Sequence, residues 1–221
     1  VTAKQHKPHT DCPFCTEQRV ECAVQSAGWQ MHCLSCGARG PLSQNPAQAK
    51  ALWQQINDNK FLLRSVIDES PNVTFLKDEN GQFLIANKKL AKLYNTTPDD
   101  IVGKYDEDFN DNQEQVAFFK RNIKEIAYSD HTHFVEETST DAETGQICYF
   151  QSSKTPIRGP NGERRVLVIA NDVTKLHEAR AESQYREKQF SDAMAIAGEG
   201  FWEWNMLTDT IHHNQKWCEM L

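Results

Sequence analysis

The sequence predicts an α+β chain: a small cysteine-rich ribbon, then one five-stranded antiparallel sheet with its helices gathered on one face, then a long polar helix. Three observations carry the prediction. Four cysteines fall as C-x2-C-x17-C-x2-C at Cys12, Cys15, Cys33 and Cys36. Between Phe61 and Thr174 the hydrophobic rhythm runs strand, strand, helices, strand, strand, strand, an order that a single sheet covered on one side by helices buries economically. Residues 175–197 are rich in Glu, Arg, Gln and Ala, with neither Gly nor Pro.

The first 57 residues are too few to bury a useful core, so a metal must supply much of their folding energy. Two residues between cysteines form a tight knuckle that aims both thiolates at one point, and two knuckles give four ligands for tetrahedral Zn2+. Five of the seven cysteines lie in the first 36 residues, which favours metal over a disulfide scaffold; a pair of redox C-x-x-C motifs is the alternative. Gly37 follows the second knuckle, where a permissive backbone is needed. Cys22 and His32 are substitute ligands that a complete set of four cysteines leaves unneeded. Four thiolates leave no position for a substrate, so the expected metal is structural. Residues 20–24 and 28–32 read as a hairpin. Asn45 caps and Pro46 opens a short helix with Ala49, Leu52, Trp53 and Ile56 on one face. The words CPFC and CLSCGARGP, followed by a helix with Trp53 and Asn57, resemble the Lar-type restriction-alleviation zinc ribbons. That resemblance implies contact with protein or nucleic acid.

After Asn59, Phe61, Leu62, Val66 and Ile67 suggest a second short helix ending near Ser70-Pro71. Residues 73–78 and 82–87 are strands joined at Asn80-Gly81, a strong hairpin signal. Residues 88–94 read as a helix with Leu90, Leu93 and Tyr94 on one side, and Thr97-Pro98 starts another. In residues 113–128, Val116, Phe119, Ile123 and Ile126 or Ala127 keep a helical period. Strands at 131–138, 146–157 and 164–171 follow, with Pro156 marking a bulge or a strand end. The acidic run 106–111 reads as a solvated loop, His131 and His133 as exposed, and Cys148 and Cys218 as small buried hydrophobes.

Ser70-Pro71 through Phe75, DENGQFLIANKKLAKLYN from Asp78, Ile101-Val102-Gly103-Lys104 with Asp106-Glu107-Asp108-Phe109, and Asn171-Asp172-Val173-Thr174 resemble, in order, the pieces of a PAS domain. The resemblance implies a sensing and dimerisation module, in bacteria joined to histidine kinases, diguanylate cyclases or phosphodiesterases. It implies that Asp172 and Thr174 couple the last strand to the outgoing helix; a plain helix cap is the overlapping alternative. Phe75, Phe109, Phe118, Phe119, Tyr149 and Ser153 are the candidates to line a ligand pocket, with core packing the alternative for each. The absence of His from residues 113–128 argues against b-type haem. A small organic ligand, loosely held FAD or a filled core remain.

Residues 199–205, with Gly200-Phe201-Trp202-Glu203-Trp204, resemble the opening of a second PAS sheet that the chain leaves incomplete, with Phe201, Trp202 and Trp204 a sticky patch. The expected domains are thus 1–58, 60–174, a linker helix at 175–197, and 198–221. Leu176, Ala179, Ser183, Arg186, Phe190, Ala193 and Ala197 form a weak seam on the linker, consistent with pairing across a homodimer. The chain begins without Met and stops within a helix, which suggests that both ends are cut. Its net charge of −7 argues against a protein built to coat nucleic acid, although the ribbon is mildly basic. No apolar run reaches membrane-spanning length and no signal peptide is visible, so a cytoplasmic setting is expected. Neither a GGDEF motif nor a kinase phospho-acceptor block occurs, and no acid/base or nucleophile constellation is present. The expectation is therefore a non-catalytic sensory region preceding a diguanylate cyclase or, next, a histidine kinase. The alternative is a nucleic-acid-binding or restriction-alleviation ribbon with an accessory PAS domain.

Overall fold

The computed structural model describes residues 11–197 and 199–220; the expectations placed on residues 1–10 and on Leu221 lie outside them. Two units emerge. One runs through Pro71 and takes in Asn87–Lys89; the other comprises Asn72–Ala86 and Leu90 onward.

In the first unit, β1 (Val20–Gln25) and β2 (Gly28–Cys33) form an antiparallel hairpin with Val20 opposite Cys33. Asn45 accepts a hydrogen bond from the Gln48 amide and Pro46 occupies the first turn of α1 (Pro46–Asp68), which satisfies one of the free N-terminal donors. Ala49 and Trp53 are buried with Cys12, Met31 and Cys33. The Trp53 indole donates to the Asp11 carbonyl (3.2 Å) and Asn57 Nδ2 to the same oxygen (3.1 Å). The two helices expected on either side of Asn57-Asp58-Asn59 are one continuous 23-residue helix. Asn and Asp weaken a helix by only a few tenths of a kcal/mol each, and without Gly or Pro nothing breaks it. Phe61, Leu62 and Val66 of its second half are exposed.

In the second unit, β3 (Val73–Asp78) and β4 (Phe83–Ala86) make the Asn80-Gly81 hairpin, with Asp78 Oδ1 accepting from the Asn80 and Gln82 amides. Helices α2 (Lys88–Leu93), α3 (Pro98–Ile101) and α4 (Gln113–Ala127) follow, with a 3-10 turn at Asp106–Asp108 between the last two. The chain closes with β5 (His133–Thr140), β6 (Ile147–Arg158) and β7 (Arg164–Asp172). The sheet order is β4-β3-β7-β6-β5, antiparallel throughout. The predicted apolar stripe of α4 is buried at Val116, Phe119, Ile123, Ile126 and Ala127. Pro156 causes no bulge: β6 stays in register with β7 from Phe150 to Arg158. Pairing with β5 ends at Lys154, so the missing Pro156 N–H falls where that edge is already open.

Most of the described side chains of helix α5 (Thr174–Ala197) are exposed, Leu176, Tyr185 and Phe190 among them. Beyond it, β8 (Trp202–Asn205) and β9 (Thr210–His213) form a two-stranded ribbon, followed by α6 (Gln215–Met220). Trp202 and Trp204 are half exposed, and Phe201 packs edge-on against Phe190 at 5.3 Å. Cys218 is exposed and Cys148 half-buried against the core, so only Cys148 has the packing role expected of both.

Candidate functional site

The four predicted cysteines converge. Their sulfur atoms all lie within 4.8 Å of one another, with Cys12 to Cys36 at 3.6 Å and Cys15 to Cys33 at 3.5 Å. A tetrahedron of ~2.3 Å zinc–sulfur bonds has edges of about 3.8 Å, so the cluster is compatible with a bound metal ion. The knuckles do what their spacing requires: the Phe14 amide donates to Cys12 Sγ, and Gly37, at φ 77°, takes the left-handed backbone that closes the second knuckle. Charge alone cannot settle on four bare sulfurs. Cys33 falls to about 6 because the Cys36 amide favours its thiolate against burial, with the Ser35 amide and neighbouring thiols assisting. The Glu17 amide favours the Cys15 thiolate, yet burial and the adjoining sulfurs push that thiol up to about 12. A dication would relieve that repulsion. Cys22 only packs against the cluster, and His32 sits 3.9 Å from Glu21, so neither joins it.

A second site lies between the sheet and the helices of the second unit. A cavity of about 40 Å3 is lined by Val73, Phe75, Leu90, Leu93, Phe119, Ile123, Phe150 and Ala170 on its apolar side, and by Lys77, Tyr94, Asp106, Glu137, Ser139 and Lys154 on its polar side. Strand alternation delivers these groups: Val73, Phe75 and Lys77 from β3, Glu137 and Ser139 from β5, Phe150 and Lys154 from β6. The β3–β4 pairing shifts between Leu76 and Lys77, with Leu84 of β4 the extra residue, while β3 stays in step with β7 through Asp78, so alternation along β3 is what turns the Lys77 ammonium inward.

Two ion pairs are buried there. Lys77 bonds Asp106, with side chains 1% and 7% exposed, and Lys154 bonds Glu137 at 2.7 Å, with 2% and 9%. Asp106 also accepts from the Tyr94 hydroxyl at 3.2 Å; Lys154 also reaches Asn122, and Ser152 donates to Glu137. The Lys77 ammonium stands 4.0 Å from the Phe83 ring centre. Burial outweighs Asp106 and pulls Lys77 below its usual value, while burial and then the Asp106 charge hold the Tyr94 phenol well above its own. The buried Ser139 hydroxyl lies near Tyr94, yet outside bonding geometry, and has no hydrogen-bond partner.

Of the six pocket candidates, Phe75 and Phe119 line this cavity. Phe109 stacks on Tyr94 at 5.2 Å, outside the lining. Phe118 and Tyr149 line a separate open groove beside α5. Ser153 lies on the outer face of the sheet with Phe134 and Ile169, because Ser152 and Lys154 point inward and alternation turns Ser153 out. The polar side of the cavity was missed. Lys77, sharing parity with Val73 and Phe75, was its available sequence signal. Asp106, read as solvated, is instead buried. His131 is exposed and stacks at 4.4 Å on a half-buried His133.

At the strand–helix junction the Thr174 hydroxyl accepts from the Tyr149 amide and Asp172 Oδ1 accepts from the Thr174 amide, each at 2.9 Å. The Val173 amide donates to the Tyr149 carbonyl, and the Tyr149 ring stacks on His177 at 3.8 Å.

The PAS-fold family model matches residues 67–178, half of the chain. The chain is 25% identical over 176 residues to the methanogenesis regulatory histidine kinase FilI of Methanothrix harundinacea, covering 73% of this chain and 19% of that protein; it thus spans about a fifth of the relative's length. Among solved structures, Vibrio cholerae VqmA aligns with a TM-score of 0.47 at 20% identity, over 52% of each chain. The PAS domain of Bordetella pertussis BvgS aligns with a TM-score of 0.45 at 18% identity, over 60% of this chain and 99% of that one.

Proposed function

Because the chain belongs to the PAS family, we propose that it is the sensory, non-catalytic region of a signalling protein: the cavity takes up a small molecule and α5 carries the response to an output domain. One observation carries the reading. Phe150 lines the cavity, and the preceding residue, Tyr149, holds the start of α5 through its amide, carbonyl and ring. A displacement of β6 at the cavity therefore reaches the helix within one residue, and a ligand that binds the two arrangements unequally shifts their populations. The output is of histidine-kinase or diguanylate-cyclase type, and the resemblance to FilI favours the kinase. Exposed Leu176 and Phe190 on α5, with Phe134 and Ile169 on the outer sheet face, suit a homodimer. The four cysteines hold a structural zinc ion. No helix among the described residues is long and apolar enough to cross a membrane, in keeping with a cytoplasmic role.

The test is a fusion of the full chain to a histidine-kinase catalytic core. Filling the cavity with Ser139→Val should change autophosphorylation, and adding Thr174→Ala should suppress that change. A kinase indifferent to Ser139→Val in a folded fusion would rule out the sensory reading.

A further inference from the structure

We infer that the cavity binds a cluster of about three water molecules anchored on Ser139, and that this water completes the solvation of the two ion pairs buried beside it. This deepens the sensory reading and rests on it: a sensed molecule then enters by displacing bound water, not by filling a dry space. Three observations converge on water.

The first is open hydrogen-bonding capacity of both kinds. Among the described residues, each oxygen of Asp106 and Glu137 accepts one hydrogen bond, from Tyr94, Lys77, Ser152 and Lys154, and keeps a second lone pair open. Lys77 donates to Asp106 alone, and Lys154 to Glu137 and Asn122. Each ammonium therefore has an N–H to spare, even with one Lys77 proton aimed at the Phe83 ring. Ser139 adds a buried hydroxyl with no partner, able both to donate and to accept. Open acceptors and open donors thus line one small space, and a buried water that makes two to four bonds serves both. The second is the cost of burying charge. An ion pair held out of water is stable only when its remaining lone pairs and protons are also satisfied, and no protein group among the described residues takes them up. Two lysines face two carboxylates, so no net charge draws in an ion instead. The third is size. One water position needs about 10–15 Å3 of such space, so about 40 Å3 accommodates about three and excludes a flavin or haem.

Xenon and water itself are the probes, both applied to the full chain. A dry apolar cavity takes up xenon, and a hydrated one does not. The methyl resonances of Leu90 and Ile123 should therefore stay unmoved as xenon pressure rises, and nuclear Overhauser contacts from water should reach the same methyls. Oxygen-17 relaxation dispersion counts the long-lived waters. Ser139→Val removes the anchoring hydroxyl and fills part of the space, so it should lower that count by about one to three, with the circular dichroism of the variant matching the parent. Saturable xenon shifts in the parent, no water contact at either methyl, or an unchanged count in a folded Ser139→Val would each overturn the assignment. The first two readouts need no variant, so they decide the matter where Ser139→Val does not fold. The kinase fusion keeps the two readings apart. If the parent takes up xenon while the fusion still responds to Ser139→Val, the water cluster alone fails. If the water is bound and the fusion is indifferent, the sensory role fails.

Discussion

Replacing Lys77 with Met tests whether the cavity is held by buried charge. Met fills the volume of the lysine stem, so the change removes the ammonium and little else. Asp106, 7% exposed, then keeps only the Tyr94 hydroxyl as a side-chain donor among the described residues. Breaking a buried pair from one side costs about 3–5 kcal/mol, most of it the stranded charge; the lost contact with Phe83 at 4.0 Å falls within that figure. At a urea dependence of about 2 kcal/mol/M the midpoint should drop by roughly 2 M. The additional change Asp106→Asn should restore most of the loss. Far-ultraviolet circular dichroism is the suitable readout, because all five tryptophans, at 29, 53, 202, 204 and 217, lie outside the sheet domain. The pH dependence has a definite sign. Burial, working against Asp106, holds Lys77 below its ordinary 10.5, so the folded chain gives up that proton before the unfolded one does. The lysine's contribution to stability therefore rises as pH climbs toward 10.5, and the Met variant lacks that slope. A midpoint shift under roughly 0.5 M, or a double variant no more stable than the single one, would refute the argument.

Metal analysis should find about one zinc per chain by four-thiolate geometry; Cys36→Ser should lower that content and alter Trp53 emission while the sheet signal persists. Thr174→Ala should cost about 1 kcal/mol as a lost hydrogen bond to the Tyr149 amide and speed hydrogen exchange at that amide, whereas Thr174→Ser should leave it protected. A Cβ on Gly40 would stand 2.9 Å from Trp53 Cε3 and 3.5 Å from Met31 Cβ, so Gly40→Ala should destabilise the ribbon by about 1–3 kcal/mol, read as an earlier transition in tryptophan fluorescence.

The elements readable in advance share a physical cause. Cysteine spacing alone fixes how two knuckles close, and Cys12, Cys15, Cys33 and Cys36 come together as that spacing requires. Helix α4 buries Val116, Phe119, Ile123 and Ile126, the stripe its period marks, and β3 starts and stops where alternation and the Asn80-Gly81 turn place it. The unbroken α1 was less visible, because Asn57 to Asn59 resemble a boundary in composition while costing a helix little. Pocket residues were the least readable. Aromatic character was a poor guide: Phe109 and Phe118 are aromatic and lie outside the cavity, whereas Lys77, Glu137 and Lys154 are charged and lie inside it.

Local pattern, then, was sufficient for the ribbon, the order of strands and helices, and the polar linker, since each depends on periodicity or spacing within a few turns of chain. The polar interior depended on the folded molecule. Lys77 and Asp106 are 29 positions apart and Glu137 and Lys154 are 17 apart, and a charge can stay out of water only where distant strands and helices bring its partner to it. The same holds for Ser139, whose hydroxyl is buried among these charged groups only because β5 packs beside β6 in the folded sheet.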